Sequence, residues 1–148
     1  MRFIYPSRLE RTGPGEVVVS FRDLPECLTS GADEAEALRE ARDALEEAIA
    51  GRIDDGEPIP VPSAPIEDEQ PVAVPADMAA KAAFTLAFRE SGLSRVELAR
   101  RLGVDEKVVR RMLAPHHGTA ASRLNEALGA LGRELIVEVR ELAAVGER

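Results

Sequence analysis

The chain has 148 residues, 45% of them hydrophobic and only 3% aromatic, so any core is small and built from aliphatic side chains, and a large multidomain enzyme is excluded. A net charge of −8 works against binding of nucleic acid or an anionic membrane by the molecule as a whole, so a DNA contact requires a local basic patch. The single cysteine, Cys27, excludes an internal disulfide, and with only His116 and His117 beside it the ligands are too few for structural zinc, so neither a metal nor a cofactor is expected.

No apolar run approaches the roughly 20 residues that cross a bilayer, and Met1-Arg2-Phe3-Ile4-Tyr5-Pro6 lacks the apolar region and cleavage site of a signal peptide. The expectation is a cytoplasmic protein with no membrane partner. Charge divides the chain: residues 1–76 hold 17 acids and 7 bases, a net of −10, whereas residues 77–148 hold 10 acids and 12 bases, a net of +2. Between the halves, residues 56–75 contain six of the ten prolines, which favours an extended connector. The implied division is a first domain over 1–65, a Pro-rich linker over 66–76 and a second domain over 77–148.

In the acidic half, Phe3 and Tyr5, then Val17, Val19 and Phe21, recur at period two around Gly13-Pro14-Gly15, the pattern of an antiparallel hairpin. Cys27-Leu28-Thr29 offers a third strand. Asp33 with Glu36 three residues later forms a capping box, so a helix is expected over about 34–50, closed by Gly51. Leu38, Ala41, Leu45, Ala48 and Ile49 would face the sheet, leaving Glu40, Asp43, Glu46 and Glu47 outside as either a solvated face or a docking surface for a basic partner. Cys27 has no histidine within the first 115 residues to activate it and reads as a buried structural thiol.

The second half predicts a helix from Asp77 to Ser91-Gly92, a short helix capped by Ser94, a tight turn at Gly103 and a third helix capped by Asp105. The order Ser94, Glu97-Leu98-Ala99, Leu102-Gly103-Val104-Asp105, Val109 and Met112 is that of a helix-turn-helix: small Ala99 allows close helix approach, Gly103 the bend, and Val109 and Met112 bury the back of the recognition helix. Glu106, Lys107, Arg110 and Arg111 then face outward, and residues 94–118 carry six bases against three acids. The candidate DNA-binding residues are Ser94, Arg95, Glu106, Lys107, Arg110 and Arg111. A fourth helix is expected from a Thr119 cap to Gly132. Residues 134–140 alternate as a strand, although Leu135, Val139 and Leu142 also fit a helix; as a strand it would pair with its copy in a second chain.

Phe21-x-Asp23-Leu24-Pro25-Glu26-Cys27-x-Thr29-x-Gly31, Asp33 to Leu38 and Ile59-Pro60-x-Pro62-Ser63 resemble the HicB antitoxin family. So do Lys81-Ala82-Ala83, Leu98 to Val104, Val109 to Leu113, His116 and Ala127-Leu128-x-x-Leu131-Gly132, and the resemblance spans nearly the whole chain. It implies an α+β protein: an N-terminal sheet-plus-helix domain similar to a partial ribonuclease H fold, then an all-α helix-turn-helix domain with a C-terminal strand. It also implies a bacterial type II toxin–antitoxin system, in which the first domain masks a HicA-type toxin and the second, as a homodimer or higher homo-oligomer, binds operator DNA. The two strand segments of the first half offer only Glu16, with Glu10 and Asp23 just beyond, too few carboxylates for a ribonuclease H metal site, so a binding scaffold and not an enzyme is expected. The competing reading is a ligand-sensing helix-turn-helix repressor without a toxin partner.

Overall fold

The computed structural model describes residues 1–142. Its elements are β1 (Ile4–Gly13), β2 (Glu16–Ser20), β3 (Leu28–Gly31), α1 (Glu34–Asp54), β4 (Glu69–Ala73), α2 (Ala76–Ser91), α3 (Arg95–Leu102), α4 (Glu106–Leu113) and α5 (Ala121–Ala130). This is the expected α+β class: a four-stranded sheet and a helix, then a region of four helices. The described residues divide into two compact units, one from Met1–Ala48, Pro60–Pro75 and residues 137–142, the other from Ile49–Ile59 and Ala76–Ile136.

The sheet of the first unit is antiparallel throughout, in the order β3-β2-β1-β4. The β1–β2 hairpin turns at Gly15, whose φ of 73° a residue with a Cβ rarely adopts. Pairing of Leu9 with Val19 and of Tyr5 with Val72 puts Tyr5, Ser7, Val17, Val19 and Val72 on one face, all of them buried. The third strand lies slightly later than Cys27–Thr29, and it ends at Gly31 because α1 begins directly against it. A Cβ at Gly31 would stand 2.4 Å from the Ala37 nitrogen.

Two expectations for this half change. The helix does not stop at Gly51: it runs to Asp54 and closes at Gly56, φ 68°, where Glu57 N–H donates to the Arg52 carbonyl and Gly56 N–H to that of Ile53. Burial of Ile53 rewards the extra turn and outweighs the cost of about 1 kcal/mol for an internal glycine. Its most buried stripe is Ala37, Ala41, Leu45 and Ile49, spaced by four, with Leu38 and Ala48 only half-buried. The Pro-rich stretch, in turn, is more than a connector. Glu69–Ala73 forms β4 beside β1, and Pro71 is tolerated because β4 is an edge strand. The preceding prolines are tied down as well: Tyr5 Oη donates to Pro60 O at 2.7 Å, and Ser63 donates N–H and Oγ–H to Asp23 at 2.8 and 2.7 Å.

In the second unit, Phe84, Leu98, Val109, Met112, Leu124 and Leu128 form one core drawn from all four helices. The α5 helix ends as expected at Gly132, φ 75°, but Thr119 does not cap it; the N-cap is Ala120, with no side-chain bond, and the Thr119 hydroxyl is used elsewhere. After α5 no strand occurs among the described residues. Residues 134–140, whose pattern fits a strand or a helix and for which the resemblance implies a strand, form neither, and in a single chain they have no neighbouring strand to supply ladder hydrogen bonds.

Candidate functional site

Two short helices of the second unit carry the candidate DNA surface. Ser94 caps α3: its Oγ accepts from Glu97 N–H at 3.1 Å, and its hydroxyl donates to Glu97 Oε1 at 3.1 Å. Gly103 ends α3 in the left-handed conformation at φ 66°, and Asp105 caps α4 by accepting from Lys107 N–H at 2.9 Å. The chain therefore turns from α3 to α4 where the sequence predicted. Leu98 and Ala99 of α3 and Val109 and Met112 of α4 point into the core.

With that face buried, Lys107, Arg110 and Arg111 are all exposed, as are Ser94 and Arg95. Glu106 is only half-buried and pairs with Arg95 at 3.3 Å, so the first turns of α3 and α4 are joined by an ion pair. Arg95 therefore has a competitor for any phosphate it contacts, whereas Lys107, Arg110 and Arg111 make no ion pair among the described residues. A positive helix surface with unengaged long cations is suited to a polyanion.

The α4 helix is held from behind by a residue whose role the sequence did not announce. Lys81, in the middle of α2 and 4% exposed, places Nζ 3.0 Å from the carbonyls of Arg111 and Met112, 2.8 Å from that of Ala114 and 3.0 Å from Thr119 Oγ1. These carbonyls belong to the last turn of α4, which lacks intrahelical donors and carries the negative end of the helix dipole. Burial pulls the Lys81 ammonium down to about 8. The only hint in the sequence is a lysine between alanines on an otherwise apolar helix face.

In the first unit, Glu40, Asp43 and Glu47 of α1 are exposed and Glu46 is half-buried, so the four candidate acids stay on the outer side of the helix. Arg22, just after β2, binds both Glu69 oxygens at 2.9–3.1 Å and the Ala64 carbonyl at 2.6 Å. That hydrogen-bonded guanidinium holds the Glu69 carboxyl below its ordinary value. Cys27 is 2% exposed, and burial pushes its thiol up to about 11, the opposite of an activated nucleophile. Among the described residues no three His, Cys, Asp or Glu side chains cluster to hold a metal, and no helix is long and apolar enough to cross a membrane.

Comparison with known proteins joins these two surfaces in one family. Residues 4–83 match the model of the HicB-like antitoxins of bacterial toxin–antitoxin systems. Antitoxin HicB of Escherichia coli strain K12 is 38% identical over 131 residues, 88% of this chain and 95% of that protein. Antitoxin HicB 1 of Photorhabdus laumondii is 37% identical over 135 residues, 91% of this chain and 86% of that one, and antitoxin HicB of Pseudomonas fluorescens is 37% identical over 127, covering 85% and 87%. The chain belongs to the HicB family of antitoxins, a family of binding proteins and not of enzymes.

Proposed function

We propose that this chain neutralises a small HicA-type, mRNA-cleaving toxin through its first unit and represses its own operon through α3 and α4. The observation that carries the reading is the pairing of an antitoxin-family sheet unit with a helix whose buried Val109 and Met112 leave Lys107, Arg110 and Arg111 free for a groove. Its partners are thus a toxin, operator DNA and a second copy of itself, and the reaction takes place in the cytoplasm. Residues 1 to about 65, completed by β4, bind the toxin; residues 77–148 bind DNA and dimerise.

The acidic surface of α1, Glu40, Asp43, Glu46 and Glu47, supports attraction of a cationic RNA-binding toxin and speeds the encounter. On DNA, the N-terminal part of a recognition helix reaches base edges, so Lys107 and Arg110 read bases, Arg111 reads bases or phosphate, and Ser94 and Arg95 hold phosphate. Two copies sit on a palindrome with their α4 helices roughly 34 Å apart in successive major grooves.

The test uses the full chain with Lys107, Arg110 and Arg111 all changed to alanine. It is expected to rescue growth against the neighbouring toxin as well as the wild type does, while losing its shift of promoter DNA. Unchanged promoter affinity in a folded triple variant refutes the recognition-helix assignment; failure of the wild type to rescue growth refutes the antitoxin assignment.

A further inference from the structure

The loop that enters β4 is pinned to the first unit and yet turns apolar side chains to solvent. Its backbone is tied at successive points: Tyr5 Oη donates to Pro60 O, Ser63 donates twice to Asp23, and Arg22 donates to Ala64 O. The Glu69 carboxylate closes the series, accepting from Arg22 Nε–H and from Ile66 N–H, each at 2.9 Å. Between these ties Val61 is 73% and Ile66 56% exposed. Glu67 and Asp68 are exposed as well, and neither enters an ion pair among the described residues.

The tip of the loop is a turn in which Glu69 N–H donates to Ile66 O at 3.1 Å. Asp68 is the third residue of that turn, at φ 68°, and no other residue besides glycine has a positive φ among the described residues. Glycine would fill the position without strain, so the turn keeps a carboxylate at its tip against the preference of the backbone.

We infer that residues 61–68 are the anchor by which the first unit holds the toxin, with Val61 and Ile66 as its apolar contacts and Glu67 and Asp68 facing the toxin's cations. This rests on the toxin-binding reading above and moves the main interface from α1 to a loop. The choice follows from what each surface supplies. The outer side of α1 carries Glu40, Asp43, Glu46 and Glu47, but none of the exposed large apolar side chains among the described residues lies on that helix. Exposed charge speeds an encounter and adds little once the complex has formed, because each pair stays solvated and screened. Slow release comes from apolar side chains that the partner covers within a polar rim. The loop offers both, and its ties and prolines leave little conformational freedom to lose on binding.

The test is the binding kinetics of the full chain with the neighbouring toxin, measured by biolayer interferometry at low and high salt. Val61→Ser combined with Ile66→Ser is expected to raise the dissociation rate on the order of tenfold and to leave the shift of promoter DNA unchanged, which shows that the variant is folded. Glu40→Gln with Asp43→Asn and Glu47→Gln is expected instead to slow association and flatten its salt dependence, with dissociation unchanged. Asp68→Gly relieves the backbone and removes the charge, so it is expected to melt higher than the wild type while releasing the toxin about threefold faster, a combination that a purely structural residue does not give. A wild-type dissociation rate in the loop double variant or in Asp68→Gly, or faster dissociation in the α1 variant alone, overturns the inference. So does a loss of self-association on sedimentation with toxin kinetics intact, which makes the loop a contact between copies. A wild-type chain that binds no toxin refutes the function assigned above, so a wrong anchor and a wrong function give different results.

Discussion

Replacing Lys81 with methionine keeps the length of the buried stem and removes only the ammonium, which isolates what that charge does behind α4. Three backbone carbonyls and one hydroxyl would lose their shared donor at once. A buried acceptor left without a donor costs about 1–3 kcal/mol, and even if water reaches one of them the gross loss is about 4–6 kcal/mol. Against this stands relief from burying a charge: the drop from 10.5 to about 8 corresponds to roughly 3 kcal/mol. The net expectation is a loss of about 2 kcal/mol, read as a lower urea midpoint at pH 7.

The same substitution has a pH signature whose sign follows from proton counting. Between pH 8 and 10.5 the folded chain has released the Lys81 proton while the unfolded chain still holds it, so the unfolded state binds more protons and stability contributed by this residue rises with pH. Titration of Cys27 runs the other way: its thiol, raised from 9.0 to about 11, stays protonated in the folded chain after the unfolded chain has lost it, and stability falls as pH rises past 9. Subtracting the Lys81→Met curve from the wild-type curve cancels the cysteine and leaves the lysine. If the variant is as stable as the wild type at pH 7, the buried ammonium does not hold α4; a difference curve that is flat from pH 8 to 10 refutes the lowered Lys81 pKa.

Arg110→Ala is expected to cost on the order of 1–3 kcal/mol in operator affinity and to relax sequence preference, whereas Arg95→Ala weakens all DNA alike and flattens the salt dependence; fluorescence anisotropy with cognate and scrambled duplexes separates them. Arg95 should also show the smaller effect, because Glu106 already holds its guanidinium. Gly31→Ala drives a Cβ to 2.4 Å from the backbone of α1 and is expected to destabilise the first unit by about 1–3 kcal/mol in thermal unfolding. A fragment ending at residue 75 is expected to bind the toxin in a pull-down. One ending at residue 65 lacks β4, exposes the edge of β1, leaves the buried Ser7 hydroxyl without the Gln70 carbonyl, and is expected to unfold at lower temperature.

Local signals carried the elements that depend only on neighbours in sequence. The caps at Asp33, Ser94 and Asp105 are hydrogen bonds across two or three residues, so residue type and spacing suffice to find them. The left-handed turn at Gly103 and the inward Val109 and Met112 are legible for the same reason. What was not legible depends on distant partners. Glu69–Ala73 contains Pro71 and few apolar residues, and becomes a strand only because β1 offers it an edge more than 60 positions earlier. Gly51 reads as a stop until the burial of Ile53 beyond it is known.

The candidate site divides along the same line. Outward cations on α4 follow from helical period, since fixing two buried positions fixes the opposite face. The Arg95–Glu106 pair joins side chains of two helices 11 residues apart, and the Lys81 cage joins one side chain to backbone carbonyls and a hydroxyl 30 to 38 residues on, and no periodicity encodes either. A lysine in an alanine-rich helix suggests an exposed, snorkelling side chain, and here it is the reverse. Such a residue is affordable only where the chain ends another helix against it, because the exposed carbonyls of that end supply the acceptors that burial takes away. The position of Lys81 is therefore set by where α4 stops, and α4 stops at Ala114 because Pro115 follows.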